Sequence, residues 1–255
     1  MDNAAEDSRQ LQMTLLGHLN ELRKRLVWVG AALLVGTILS IIFAEKMLQF
    51  LTRPYGDQLQ TIRPTEGIET YFKIALLSGA ILSMPIILLQ VWKFIEPGLL
   101  PREKRYVYVF LPSAMLLFLL GVSFAWFVLL PAAIAFLGGF LNTVFTTEWT
   151  SQEYIGFITT FLFWIGVSFE MPVIVYFIAR VGVVSAATLR EQWRTAIVVI
   201  AVVAAAVTPT VDPVTMLLTM APLLVLYVLS LGLARIGQRQ FERSMALESE
   251  TGGTK

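Results

Sequence analysis

Apolar residues fall in long unbroken stretches, with polar residues confined to short segments between them. Leu26 to Ala44 and Ile74 to Trp92 are each 19 residues without a charge. Either is long enough to cross a hydrocarbon core of about 30 Å as a helix. Tyr106 to Thr147 is uncharged for 42 residues, about 60 Å of helix and too long for one crossing, so the third span is placed to end near Gly138 and Gly139, bent by Pro131. Tyr154 to Ala179 is the fourth, 26 residues with one charge. The fifth is short: 17 uncharged residues lie between Arg194 and Asp212, and a turn at Thr208-Pro209-Thr210 leaves about 13 of them helical, roughly 20 Å. Pro213 to Ala234 is the sixth. The pattern predicts an all-α membrane protein of six transmembrane helices over 26–234. The polar flanks are an N-terminal segment over 1–25 and a tail over 235–255 expected to lack structure of its own.

Within the first flank, Leu15, Leu19, Leu22 and Leu26 recur at spacings of three and four, and Arg23-Lys24-Arg25 closes the run. This predicts an amphipathic helix lying on an anionic membrane face. Lysine and arginine orient the spans. The N-terminal segment, the 93–105 and 180–194 loops and the tail hold fifteen of them; the opposite loops hold only Lys46, Arg53, Arg63 and Lys73. That asymmetry predicts both termini in the cytoplasm.

Composition agrees: 56% of 255 residues are hydrophobic, 15% are charged and mean hydropathy is +0.72. The net charge of +1 gives no field for nucleic acid, and the absence of cysteine removes thiol and disulfide chemistry. No removable signal peptide is read at the start. There is one histidine, His18, so neither a metal centre nor a nucleophilic triad is expected. Phosphate-cradling loops and zinc-hydrolase or nucleophile-elbow motifs are absent. The chain is expected to be neither an enzyme nor a direct user of ATP, and to need no cofactor.

One residue breaks the apolar pattern. Nine residues separate Glu170 from Arg180, which puts it well inside the fourth span. A carboxylate at that depth costs on the order of 3 kcal/mol or more. Glu170 therefore faces a protein interior or a wet cavity, either neutral or hydrogen-bonded. It is either a structural bond between helices or a polar feature of a transport path.

Several short motifs, in order, carry a family resemblance. His18-Leu19-Asn20-Glu21-Leu22-Arg23-Lys24-Arg25 opens the chain ahead of the first span. Pro54, Pro64-Thr65-Glu66 and Lys73 follow, then Gln90-Val91-Trp92-Lys93-Phe94-Ile95-Glu96-Pro97 and Arg102-Glu103-Lys104-Arg105. Phe124-Ala125-Trp126-Phe127 with Pro131, Val167-Ser168-Phe169-Glu170-Met171-Pro172 and Thr208-Pro209 complete the set. Over about residues 15 to 235 the chain resembles TatC, the large integral membrane subunit of the twin-arginine protein translocase. The resemblance implies six tilted helices in a cupped-hand arrangement, with the buried glutamate on the concave side. It implies binding of twin-arginine signal peptides on folded precursors, the single-span partners TatA and often TatB, and transport driven by the proton-motive force. Self-association and contact with membrane lipid are expected with it.

Glu21 and Glu103, among basic neighbours, are the expected partners of the two arginines, because forked guanidinium groups pair best with carboxylates. Arg23 belongs to the same motif, and Phe94 is expected to take the adjoining apolar part of the peptide. Pro97 shapes the first cytoplasmic loop and Pro54 an outer turn. Trp126, Val202, Val203 and Asp212 are expected in structural or partner-contact roles, the two valines on a short fifth helix rich in alanine and valine. The sequence departs from the family at Thr208-Pro209-Thr210-Val211-Asp212-Pro213, where the usual pattern is Thr-Pro-Pro-Asp. Met216 and Val228 stand where many members have a glutamine and an acid. The alternatives are a small proton-coupled transporter using Glu170 and a purely structural membrane scaffold.

Overall fold

Ten α-helices make up the fold in a computed structural model that describes residues 2–56, 58–95, 107–141, 143–144, 147–208 and 212–252. They are α1 (Asp2–Ile41), α2 (Ala44–Thr52), α3 (Glu66–Ile95), α4 (Val107–Phe124), α5 (Leu130–Gly139), α6 (Ser151–Ser168), α7 (Met171–Arg180), α8 (Ala186–Glu191), α9 (Trp193–Val207) and α10 (Pro213–Gly252). A π-helical turn, Ala125–Leu129, joins α4 to α5. Among the described residues the one β feature is an isolated bridge between Gln60 and Thr150. Five segments are long and apolar enough to cross a membrane: Leu19–Ile41, Glu66–Phe94, Leu111–Gly139, Ser151–Arg180 and Pro213–Arg243. Trp193–Val207 is the shorter apolar helix anticipated between them, 15 residues or about 22 Å.

The structure revises several boundaries. No break separates an interfacial segment over 1–25 from the first span; α1 is one rod from Asp2. The tail expected to be unstructured after Ala234 continues α10 to Gly252. Side chains bind its first part to α7 and α8: Tyr176 Oη donates to Gln240 Oε1 at 2.9 Å, and Ala186 N to Gln238 Oε1 at 2.9 Å. In the third span a π turn, Ala125–Leu129, lies just ahead of Pro131. Proline at the start of α5 lacks the N–H that would continue a regular ladder, and the wider turn absorbs the mismatch. The fourth span is two helices. Pro172 opens α7, and its ring and missing N–H are incompatible with an unbroken helix through Ser168, so the chain turns at Phe169 and Glu170.

Small residues set the closest helix contacts. On α1, Ala32, Gly36 and Ser40 repeat every four residues; on α3, Ala75, Gly79 and Ser83 do the same. A Cβ added at Gly79 would lie 2.5 Å from Thr37 N, and Ser83 Oγ donates to Ala32 O at 2.8 Å. This is backbone-close packing with small residues as the seam, the arrangement that drives helix association where lipid offers no hydrophobic contrast. Gly166 does the same between α6 and α4, where an added Cβ would meet Phe118 and Val122 at 2.8 Å. Helix α6 is the centre of the fold: Tyr154, Ile155, Ile158, Phe161 and Ile165 are fully buried, joined in one core by Ile74 of α3 and Leu130 of α5.

Candidate functional site

Three places on this scaffold carry polar chemistry. The first is at the end of the bundle that holds both termini. Glu21 and Arg25, one turn apart on α1, form an ion pair at 2.9 Å. Arg25 also donates to Gln90 Oε1 on α3 at 3.4 Å, so one guanidinium ties the acid to the neighbouring helix. Phe94 lies one turn beyond Gln90, as Glu21 lies one turn before Arg25 along the antiparallel α1. Both therefore stand on the same side of the Arg25–Gln90 contact, about 6 Å along the helices. Glu21 and Phe94 are half-buried and Arg23 is exposed. Two residues before Phe94, and so on the other face of α3, Trp92 is 1% exposed and meets Phe177 of α7 edge to face, with centroids 4.6 Å apart. Glu103 and Pro97 lie outside the described residues.

The second place is the break between α6 and α7. Glu170 is 3% exposed, and its Oε1 has no hydrogen-bond partner among the described residues. Its carbonyl receives Val173 N and Ile174 N at 3.1 and 3.0 Å and so caps α7, but the carboxyl side chain does not cap. Its neighbours are apolar anchors. Phe169 packs on Phe124, 5.7 Å between centroids, and against Gly121, where a Cβ would stand 2.7 Å from the ring. Phe169 and Met171 also pack against the α9–α10 cluster of Ile200, Ala204 and Leu223. Among the described residues no partner is seen for Oε1, an exception to the rule that buried polar groups find one.

The third place, at the opposite end of the bundle, was not read from the sequence. Glu66 is 2% exposed and begins α3. Its Oε2 accepts Ile62 N at 2.8 Å and Arg63 N at 3.2 Å, and its Oε1 accepts Gln152 N at 3.0 Å. One carboxylate thus joins the two loops on that side and caps α6. The Gln60–Thr150 bridge lies beside it, and Arg63 also bonds the side chain of Gln152. The only signal in the sequence was Pro64-Thr65-Glu66, whose partner lies 86 residues away.

The remaining expected positions have clear surroundings. Pro54 sits in the turn that ends α2, followed by Gly56 at φ +83°. Trp126, inside the π turn, stacks on Phe50 of α2 at 4.6 Å between centroids, and Arg53 lies over the same Phe50 ring at 5.6 Å. Asp212 Oδ1 accepts Thr215 N at 2.6 Å, the geometry of an N-cap ahead of Pro213 at the first helical position of α10. The displaced acid in the unusual turn therefore has a local structural bond. Val202 and Val203 are exposed, with Val198 and Val199 beside them, on the face of α9 turned away from buried Ile200 and Ala204. Met216 packs against the α9–α10 cluster and Val228 is exposed. No group of three or more metal-ligating side chains occurs among the described residues.

Comparison with known proteins agrees with this architecture over most of its length. Residues 17–222 match the family described as Sec-independent protein translocase protein (TatC). The chain is 38% identical to the protein of that name from Koribacter versatilis over 231 residues, covering 87% of this chain and 85% of the relative. It is 36% identical to the one from Aquifex aeolicus over 235 residues, covering 89% and 97%. A crystal structure of the twin-arginine translocase receptor TatC superposes with a TM-score of 0.78 at 36% identity, covering 86% of this chain and 99% of that one. Nothing in these matches supports the small-transporter alternative. A polytopic helical bundle, a broken fourth span holding a buried glutamate and these matches lead to one conclusion: the chain belongs to the TatC family.

Proposed function

We propose that this chain is the receptor subunit of a twin-arginine protein translocase, with both termini in the cytoplasm, and that signal peptides bind at the end of the bundle holding Glu21 and Phe94. The observation that supports the site is the Arg25–Gln90 contact, which places Glu21 and Phe94 on the same side of one inter-helix bridge. An acid and an aromatic ring at that end match the chemistry of the ligand, two adjacent guanidinium groups followed by an apolar run. Glu103, in the loop that follows α3 in sequence, supplies a second carboxylate. Arg23 keeps the neighbourhood basic, so that a single positive charge without the forked geometry gains little there. The Trp92–Phe177 contact anchors the other face of α3 to α7 at the same level.

The exposed valine face of α9 is the docking surface for the transmembrane helix of TatA, or of TatB where one exists. Folded twin-arginine precursors are the cargo. Glu170, buried with no side-chain bond among the described residues, acts after recognition, in the membrane interior, while Pro54 and Trp126 shape the opposite end.

The test is the affinity of a twin-arginine peptide for the purified protein. Glu21→Gln, Glu103→Gln and the double variant should bind progressively less, a lysine pair should bind less well than an arginine pair, and affinity should fall as salt rises. Wild-type affinity in the double variant would refute the site while leaving the family unaffected.

A further inference from the structure

A groove of about 390 Å³ lies between α1, α3 and α6, on the half of the bundle away from the termini. It is polar at one end and apolar at the other. Lys73 and Gly156 mark the polar end, with Thr159 and Thr160 one turn further along α6; Leu77, Ala80 and Trp164 continue it inward, and Leu33 of α1 forms one wall. On α3 the lining residues repeat as Lys73, Leu77 and Ala80; on α6 as Gly156, Thr160 and Trp164. Both are single helix faces, so the groove runs along the helices for about two turns, or 10 Å.

Lys73 is the unexplained residue. It lies seven residues into α3, immediately before the uncharged run Ile74 to Trp92, and is half-buried. The excess of basic residues on the termini side does not account for it, since it belongs to the other half. Among the described residues no carboxylate pairs with it. A half-buried cation at the edge of a span lies at head-group level, where it is expected to meet a counter-charge. A Cβ on Gly156 would stand 3.7 Å from Nζ, so the glycine leaves the ammonium open towards the groove. Thr159 donates its hydroxyl to Ile155 O at 2.6 Å, which leaves Lys73 and Thr160 as the side-chain donors at the polar end of the groove, with the Trp164 indole N–H further along it.

We propose that this groove holds an anionic phospholipid of the leaflet opposite the termini, with its phosphate on Lys73 and Thr160 and one acyl chain laid along Leu77, Ala80 and Trp164. Charge complementarity supplies the head-group contact, and the polar-to-apolar order along the groove matches the order of groups in a lipid. A transmembrane helix would present no phosphate to Lys73 and would need a wider, flatter face than a two-turn cleft.

The test is native mass spectrometry of the full detergent-solubilised chain titrated with phosphatidylglycerol and, separately, phosphatidylcholine. Wild type should retain one phosphatidylglycerol at least fivefold better than phosphatidylcholine. Lys73→Gln and Gly156→Leu should lose that preference, Lys73→Arg should keep it, and Lys46→Gln, on the exposed loop helix of the same end, should not change it. Equal retention of the two lipids by wild type, or undiminished phosphatidylglycerol binding in Lys73→Gln, would overturn the assignment. So would efficient cross-linking of Thr160→Cys in membranes to a single-span protein. Loss of binding in Lys73→Arg as well as Lys73→Gln would also count against a charge-based site.

Discussion

Glu66 Oε1 accepts the backbone N–H of Gln152 at 3.0 Å, so a carboxylate at the first residue of α3 caps the first turn of α6. The same side chain holds Ile62 N and Arg63 N. A buried acid with three backbone donors is satisfied in a way that Glu170 is not, and the two acids call for opposite expectations on substitution.

Glu66→Ala should destabilise the protein by about 3 kcal/mol, because three backbone N–H groups lose a charged acceptor and two loops separate. Glu66→Gln keeps one carbonyl acceptor and should cost less. Thermal unfolding of the detergent-solubilised variants, followed by intrinsic tryptophan fluorescence, gives the order wild type, Gln, Ala. An Ala variant as stable as wild type would show that the bridge between the loops is dispensable.

Glu170→Met should leave stability within about 1 kcal/mol of wild type or raise it. Replacing a buried polar group that has no side-chain partner among the described residues with an apolar side chain of similar size removes a desolvation cost and breaks none of the bonds described. Transport of a twin-arginine precursor should nevertheless fall sharply while peptide binding persists. A parallel loss of melting temperature and transport would return Glu170 to a purely structural role.

Gly79→Ala should weaken the α1–α3 seam by about 1 to 3 kcal/mol, since its Cβ would press on the Thr37 backbone at 2.5 Å, and backbone yields less readily than a side chain. Gly30→Ala is the control. Nothing lies within 4 Å of its added Cβ, and alanine is the better helix former by about 1 kcal/mol. Melting temperatures of the two variants should move in opposite directions.

Glu21→Gln should change stability by less than about 1 kcal/mol, because its ion pair with Arg25 is an i,i+4 contact with both side chains about a quarter exposed. Its effect should fall instead on twin-arginine peptide affinity, by fivefold or more. Stability and affinity measured on the same preparation separate the two. A drop in both by similar free energies would mean that Glu21 acts through the Arg25–Gln90 bridge alone.

Single cysteines at Val202 and Val203 should cross-link to cysteines along a partner's transmembrane helix. The native chain has no cysteine, so there is no background to subtract. Cysteine at Ala204, which is fully buried on the inward face of the same helix, should give none. Cross-links from Ala204→Cys but not Val202→Cys would reverse the assigned face.

The number and approximate limits of the spans were legible in the sequence because a bilayer reads hydropathy along one dimension: a span needs only enough consecutive apolar residues, wherever its neighbours lie. The depth of Glu170 and the shortness of α9 followed from the same counting. The break at Phe169–Glu170 also had a local cause, Pro172, although the length of the run disguised it. What lay beyond the sequence were relationships between residues far apart in the chain. The Glu66–Gln152 cap joins positions 86 apart, Arg25 reaches Gln90 across 65, and the Lys73 groove is assembled from three helices. In each case the residue types and even the motif were visible, but a carboxylate or a guanidinium has several possible partners until packing brings one within hydrogen-bond reach, and a groove exists only once its three walls meet. The small-residue seam of Gly36 and Gly79 decides that packing for α1 and α3. Its four-residue spacing was written in each helix, while its register became defined only when the two backbones met.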